Sequence, residues 1–350
     1  MNSNFVDVVG YQLEKVHTGV INWLLNFGNI EVAIKEKYEM LRRIYKMCHE
    51  NVTFDEKDIS NITCMPEFSF GRKRKIDLVV KINLNNGIEK YLVIEMKVDS
   101  IPYESQLLGT HYDFIQSEKC NKEDAIFLLF LFGTSQVCKI PNLHGFHMFR
   151  IPEILEVFSG YNIDKYIYND WINALRNEDL RRTGIKLDLD NTNDIWEEDY
   201  WKEKGYRTWF PVFYYIYSEL RKDSKRFDEW DIYSGQNNPV MNWRNGWLEK
   251  IISNRKVHFY WEFNYEDFVL KVMLDEENKI SKEDLDLLRS KIVKLCNSVN
   301  IGLGNETQKR YGIYNSIYKW KYNFNKRKFD DIMHEVDNIL DYIQPKLKML

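Results

Sequence analysis

The chain reads as an α/β protein in its first half, followed by a separate α+β region. Three observations predict this. Leu13, Val16, Val20, Trp23, Leu24 and Phe27 recur at helix spacing before any strand-like segment. Two apolar runs between Lys75 and Lys97 flank Asn85-Asn86-Gly87, the composition of a hairpin loop. The unbroken apolar run from Ala125 to Phe132 has the character of a strand buried on both faces.

Taken in order, a second helical stretch follows from about Ile30 to Cys48. Strand-like segments lie near Ile62 to Phe70, Lys75 to Ile82 and Lys90 to Val98, and a helix from about Tyr103 to Gln116 leads into the run at Ala125. Thr183-Gly184 and the polar run Asp188 to Asp194 interrupt the hydrophobic pattern. The expected division is therefore residues 1–185 and 186–350. In the second part, Trp196 to Arg221 reads as a long helix or a helix pair, and Trp247 to Leu274 as strands turning at Asn264-Tyr265-Glu266-Asp267. Helices near Ser281 to Cys296 and Lys328 to Met349 finish the chain.

The chemistry concentrates at the hairpin. Side chains alternate along a strand, so Leu92, Ile94 and Met96 point one way while Val93, Glu95 and Lys97 point the other. A carboxylate and an ammonium ending an apolar strand are costly to desolvate unless each has a partner. Asp77 is that partner only in one register. A three-residue loop with Gly87 left-handed pairs Leu84 with Ile88 and, along the ladder, Asp77 with Glu95. A two-residue loop puts the two carboxylates on opposite faces.

Ile76-Asp77 followed by Glu95-Met96-Lys97 resembles the PD-(D/E)xK nuclease superfamily, with Ile76 standing where that motif carries proline. The resemblance implies a restriction-endonuclease-like core, an αβββαβ mixed sheet flanked by helices, with the second half as an α+β extension. It also implies a Mg²⁺-dependent endonuclease, Mn²⁺ substituting, that acts on double-stranded DNA in restriction or anti-phage defence. Mg²⁺ prefers carboxylate oxygens and keeps several waters. Asp77 and Glu95 are then the metal ligands, the Met96 carbonyl a third, and Lys97 the group that orients the attacking water and neutralises charge on the phosphate. The resemblance carries a further metal or water ligand to Glu14 and a nucleic-acid or lysine-orienting role to Gln106. Some branches place a tyrosine one turn after that glutamine, where Thr110 stands here. The extension is expected to read substrate or bind a partner, a second copy of the chain included.

Ordinary alternatives stand beside these readings. Asp77, Glu95 and Lys97 could form a cross-strand ion pair of little energetic weight, and His17, three residues from Glu14, reads as a helix-face histidine packed near the site. Arg72, Lys73, Arg74 and Lys75 form a basic connection suited to a phosphate backbone or simply to solvation. Lys319 and Lys321 alternate with Tyr318, Trp320 and Tyr322, which suits either nucleic-acid contact or a strand with its rings turned inward. A competing functional class is a catalytically silent binding module on a nuclease-like scaffold, which would show no ion binding dependent on Glu95.

With 44% apolar and 29% charged residues the composition is that of a globular protein, and a net charge of −4 argues against a general nucleic-acid coat. Cys48, Cys64, Cys120, Cys138 and Cys296 are odd in number and nowhere spaced as Cys-x-x-Cys, which indicates neither a zinc ribbon nor a disulfide frame. His144 and His147 read as a loop pair rather than a zinc site. The absence of a long apolar run and of a signal-peptide pattern leads to the expectation of a cytoplasmic protein without a membrane span.

Overall fold

Helices α1 (Phe5–Val9), α2 (Glu14–Leu25) and α3 (Ile34–Met47) precede any strand. They belong to a computed structural model that describes residues 4–69, 75–133, 139, 142–235, 238–299 and 301–350. Asn4 caps α1 by accepting from the Val6 amide at 2.8 Å. Helix α2 buries Val16, Val20 and Leu24, the apolar stripe legible in the sequence. The next helix begins only at Ile34, because residues 26–33 turn the chain. Lys37 fastens that turn: its buried ammonium donates to the carbonyls of Asn26 at 2.7 Å and Asn29 at 2.6 Å, satisfying acceptors left open at the end of α2.

Strands β1 (Ile59–Ser69), β2 (Lys75–Leu84) and β3 (Glu89–Lys97) follow, then α4 (Glu104–Glu118), β4 (Ala125–Leu131), β5 (Phe146–Phe149), α5 (Ile151–Phe158) and α6 (Tyr166–Asn191). The five strands form one sheet in the order β1-β2-β3-β4-β5. The pairs β1/β2 and β2/β3 are antiparallel, whereas β3/β4 and β4/β5 are parallel, so the sheet is mixed. All seven residues of β4 are buried.

The hairpin adopts the three-residue register. Gly87 has φ of +82°, the Leu84 amide donates to the Ile88 carbonyl at 2.9 Å, and Leu78 faces Ile94. Alternation then sorts the sheet between two cores. Leu92, Ile94 and Met96 pack with residues of α1, α2, α3, α5 and α6, while Tyr91 and Val93 pack with Leu107 and Phe114 of α4.

Several expectations need correction. Helix α6 continues to Asn191, through Thr183-Gly184 and into the polar run read as an interruption. Its buried positions there, Glu178, Arg182 and Ile185, keep helical spacing with charged residues at two of the three. His144 sits in a turn at φ of +47°, but His147 lies on β5 beside Leu128 and not in a loop. Lys75 is the exposed first residue of β2 rather than part of a connection, and Arg72, Lys73 and Arg74 lie outside the described residues.

Dense internal packing divides the chain into one unit of Met1–Ser135 with Ile140–Gly184 and another of Gln136–Lys139 with Ile185–Leu350. The second unit contains α7 (Glu198–Glu203) and α8 (Phe210–Asp223), a helix pair within the Trp196 to Arg221 stretch. It continues with β6 (Trp230–Ser234), β7 (Pro239–Trp243), β8 (Leu248–Ile252), β9 (Arg255–Asn264), β10 (Asp267–Leu274), α9 (Lys282–Asn297), β11 (Gly304–Glu306), β12 (Tyr314–Lys321) and α10 (Phe329–Leu347). Its sheet runs β11-β12-β10-β9-β7-β6, with β8 also on β9. Trp230, Trp261 and Trp320 are fully buried, so the aromatic density of this half fills a core. Among the described residues no helix is long and apolar enough to cross a membrane.

Candidate active site

At the C-terminal end of β3, backbone pairing between β2 and β3 stops at Leu78, although β2 goes on pairing with β1. Across β2 the partner strand β1 bends: between the pairs Pro66–Leu78 and Phe68–Ile76, Glu67 takes φ of +50°. The Asp77 side chain fills the place of the missing ladder partner, its Oδ2 accepting from the Met96 amide at 2.7 Å. One carboxylate oxygen is thus fixed by backbone geometry, which aims the group at Glu95.

Glu95 comes from the α4 face of β3. The Thr110 hydroxyl donates to its Oε1 at 3.2 Å, and Gln106 Nε2 lies 3.4 Å from its Oε2. Burial and then the charge of Asp77, with a hydrogen bond between the two carboxyls, push the Glu95 carboxyl up to about 8, against the opposing pull of Lys97 and Thr110. Two acids held this close do not both ionise readily without a cation between them.

Lys97 answers part of that charge. Its Nζ lies 3.2 Å from Glu14 Oε1 on α2 and 3.8 Å from Asp77 Oδ2, and it donates to the Met96 carbonyl at 2.7 Å. Burial works against the ammonium, but Asp77, Glu14 and Glu95 outweigh it and raise its pKa. Glu14 is raised as well, first by burial and then by Asp77, although Lys97 opposes the shift. The two shifts have different causes: burial dominates at Glu14, whereas the ammonium of Lys97 is raised because it faces three carboxyls. Exposure increases from 2% for Glu95 through 15% for Lys97 and 26% for Asp77 to 36% for Glu14, so the cluster opens to solvent on one side.

The structure therefore brings together Asp77, Glu95, Met96, Lys97, Glu14 and Gln106. Thr110 joins them through its bond to Glu95, a role that the sequence reading does not assign to it. Its place one turn after Gln106 on the same helix face was the available signal. His17 is a core residue: Trp171 Nε1 donates to its Nδ1 at 3.1 Å and its Nε2 donates to the Tyr11 carbonyl at 2.8 Å. Lys75 lies 3.9 Å from Glu67. In the second unit, Lys319 is paired with Asp267 at 2.7 Å while Lys321 is exposed, and both line a groove of roughly 730 Å³ with Arg310 and Tyr314. Their neighbours Tyr318, Trp320 and Tyr322 are buried, the inward-ring alternative of the sequence reading.

A second layer clamps the strand end that carries Lys97. The Phe132 amide donates to the Lys97 carbonyl at 2.8 Å, and Asp99, at φ of +57°, pairs with buried Arg182 of α6, which also bonds Glu178 at 2.7 Å. Gly133 leaves room for this contact. A Cβ there would lie 2.6 Å from Asp99 Oδ1 and 2.8 Å from the Asp99 amide. Gly133→Ala should destabilise the protein by about 1–3 kcal/mol, visible as a lower denaturation midpoint. An unchanged midpoint would show that the strand end yields to the methyl group.

Two abutting carboxyls, a backbone carbonyl and a neighbouring ammonium form a set of hard oxygen donors with surplus negative charge, which fits a divalent cation that retains water. Among the described residues no group of three or more His, Cys, Asp or Glu forms a ready-made metal cage. An ion held here would therefore complete its shell with solvent or substrate oxygens. The cluster sits at the end of β3, a strand with an antiparallel neighbour on one side and a parallel one on the other. Residues 3–188, more than half of the chain, match a family model of the PD-(D/E)XK nuclease superfamily, and the chain belongs to that superfamily. No curated protein and no solved structure matches it.

Proposed function

We propose that this protein is a Mg²⁺-dependent endonuclease that hydrolyses DNA phosphodiester bonds, with Mn²⁺ able to substitute. The observation that carries the reading is the contact between the Asp77 and Glu95 carboxyls, with Lys97 beside them and Glu95 pushed up to about 8 by burial and by the charge of Asp77. We take the element order of the first unit as the family's αβββαβ core and the second unit as its α+β extension. Asp77 and Glu95 would hold the ion, with the Met96 carbonyl, which also accepts from Lys97, as a third oxygen donor. When bound, the ion supplies polarisation of the phosphate and activation of water.

The protein side chains do the rest. Lys97 holds the attacking water and balances charge on the phosphate, anchored by Glu14 so that its ammonium stays protonated and in place. Thr110 and Gln106 fix the Glu95 rotamer from α4. Arg72, Lys73, Arg74 and Lys75 are the proposed phosphate contacts of the first unit, and Lys319 and Lys321 those of the second. A role in restriction or anti-phage defence rests on the superfamily resemblance.

Calorimetric titration with Mn²⁺, run on wild type and on Glu95→Gln, tests the centre without depending on the right DNA. Binding should be seen with the first and be lost with the second. Equal heats from both proteins would remove the metal assignment and favour a silent scaffold.

A further inference from the structure

Glu14 is the first residue of α2, where a helix start has no intrahelical amide bonds to hold it. Its contact with Lys97 nevertheless requires α2 to sit at a fixed height against the end of β3. Leu13, which precedes it, provides no side-chain cap. The residues that set this height lie three before and three after Glu14.

Tyr11, almost fully buried, sends its hydroxyl to the Phe132 carbonyl at 3.0 Å. The amide of the same Phe132 donates to the Lys97 carbonyl at 2.8 Å. One residue thus receives the lead-in to α2 on its carbonyl and holds the catalytic strand through its amide. His17 closes the arrangement from the other side. Its ring stacks on Phe132 with centroids 3.8 Å apart and meets the Tyr11 ring edge-on at 4.7 Å. Since Trp171 donates to Nδ1, the imidazole carries its proton on Nε2 and gives it to the Tyr11 carbonyl. The bonds therefore run from Trp171 to His17 to Tyr11, then through Phe132 to Lys97, while Glu14 reaches the Lys97 ammonium on the solvent side.

We propose that Tyr11 and Trp171 are positioning residues which, through His17 and Phe132, hold Glu14 in register with Lys97. This rests on the nuclease reading for its effect on rate. The geometric link itself does not. Each can be altered by one polar group: Tyr11→Phe deletes the hydroxyl that reaches Phe132 and Trp171→Phe deletes the indole N–H that reaches His17.

The test is a double-mutant cycle with Glu14→Gln, followed in two ways: single-turnover DNA cleavage in Mg²⁺, and Mn²⁺ affinity by calorimetry. Tyr11→Phe should slow cleavage by roughly three- to tenfold, the scale of one hydrogen bond, and weaken Mn²⁺ binding to a similar extent. In the Glu14→Gln background it should change either quantity less than about twofold, because the group it positions is gone. Trp171→Phe should behave alike and keeps the proposal testable should Tyr11→Phe fold poorly. Equal losses in both backgrounds would overturn the proposal, since a purely structural contribution is additive. Coupling between Tyr11→Phe and Glu14→Gln in thermal midpoints reads the same link without cleavage. If wild type does not cleave DNA yet the midpoints couple, the nuclease reading fails and the positioning link stands. Additive midpoints alongside normal cleavage mean the reverse.

Discussion

Asp77→Asn should cut metal-dependent plasmid nicking by about a thousandfold, a loss of about 4 kcal/mol of transition-state stabilisation, while the protein melts no lower than wild type. The asparagine oxygen can still accept from the Met96 amide, which Asp77 holds at 2.7 Å, so the β2–β3 junction keeps its bond and only the charge is removed. Asp77→Ala should lose activity equally but also leave that amide unsatisfied, at a cost of about 1–3 kcal/mol. Lys97→Ala should abolish nicking too. The two Asp77 variants separate chemistry from architecture: comparable activity losses with different melting midpoints are expected. Nicking by Asp77→Asn at the wild-type rate would remove Asp77 from the catalytic centre.

The second large effect is on pH. Glu95 is raised from 4.5 to about 8, so between these values the folded chain holds a proton that the unfolded chain has released. Stability of EDTA-treated protein should therefore be greatest below about pH 4.5 as far as this group is concerned, and fall as pH rises towards 8. The slope from one such group is at most about 1.4 kcal/mol per pH unit. Glu14, raised in the same direction, adds to the slope in wild type. Glu95→Gln removes one contribution and should become the more stable protein as the solution turns alkaline. On the proposed metal assignment a divalent ion would displace the Glu95 proton, so Mn²⁺ affinity should climb with pH and level off near 8. Parallel denaturation profiles for wild type and Glu95→Gln from about pH 5 to 9 would contradict the burial of an acid at this point.

Much of the centre was legible because strand alternation and loop length are discrete. Once Asn85-Asn86-Gly87 is a three-residue loop, Asp77 falls on the same face as Glu95 just beyond the Leu78–Ile94 pair, and the alternation of Leu92, Ile94 and Met96 against Val93 and Glu95 follows. The run from Ala125 was legible from its composition and length, since seven apolar residues in succession, too short a run for an ordinary helix, suit a strand covered on both faces. Elsewhere the signal was weak for physical reasons. Helix α6 buries Glu178 and Arg182 as an ion pair, and a search for apolar periodicity cannot register charged residues doing the work of a core. Strand β5 has four residues, of which only Phe146 and Phe149 are buried. The short strands β6 and β7 were missed among the aromatic residues of the second half, where rings serve strand and helix alike. Thr110 escaped notice because a hydroxyl on a helix has meaning only once its acceptor is known.

The turn at Gly87 carries an arithmetic consequence for how this gene can drift. Losing or gaining a single codon there changes the parity of the hairpin, and Asp77 would then meet the greasy side of its neighbour while β3 stays locked to β4. Length variants that preserve the meeting of Asp77 and Glu95 must come in pairs of codons or bring a compensating bulge, so a solvent-exposed loop is nonetheless held to a fixed count by two carboxyls some ten residues away.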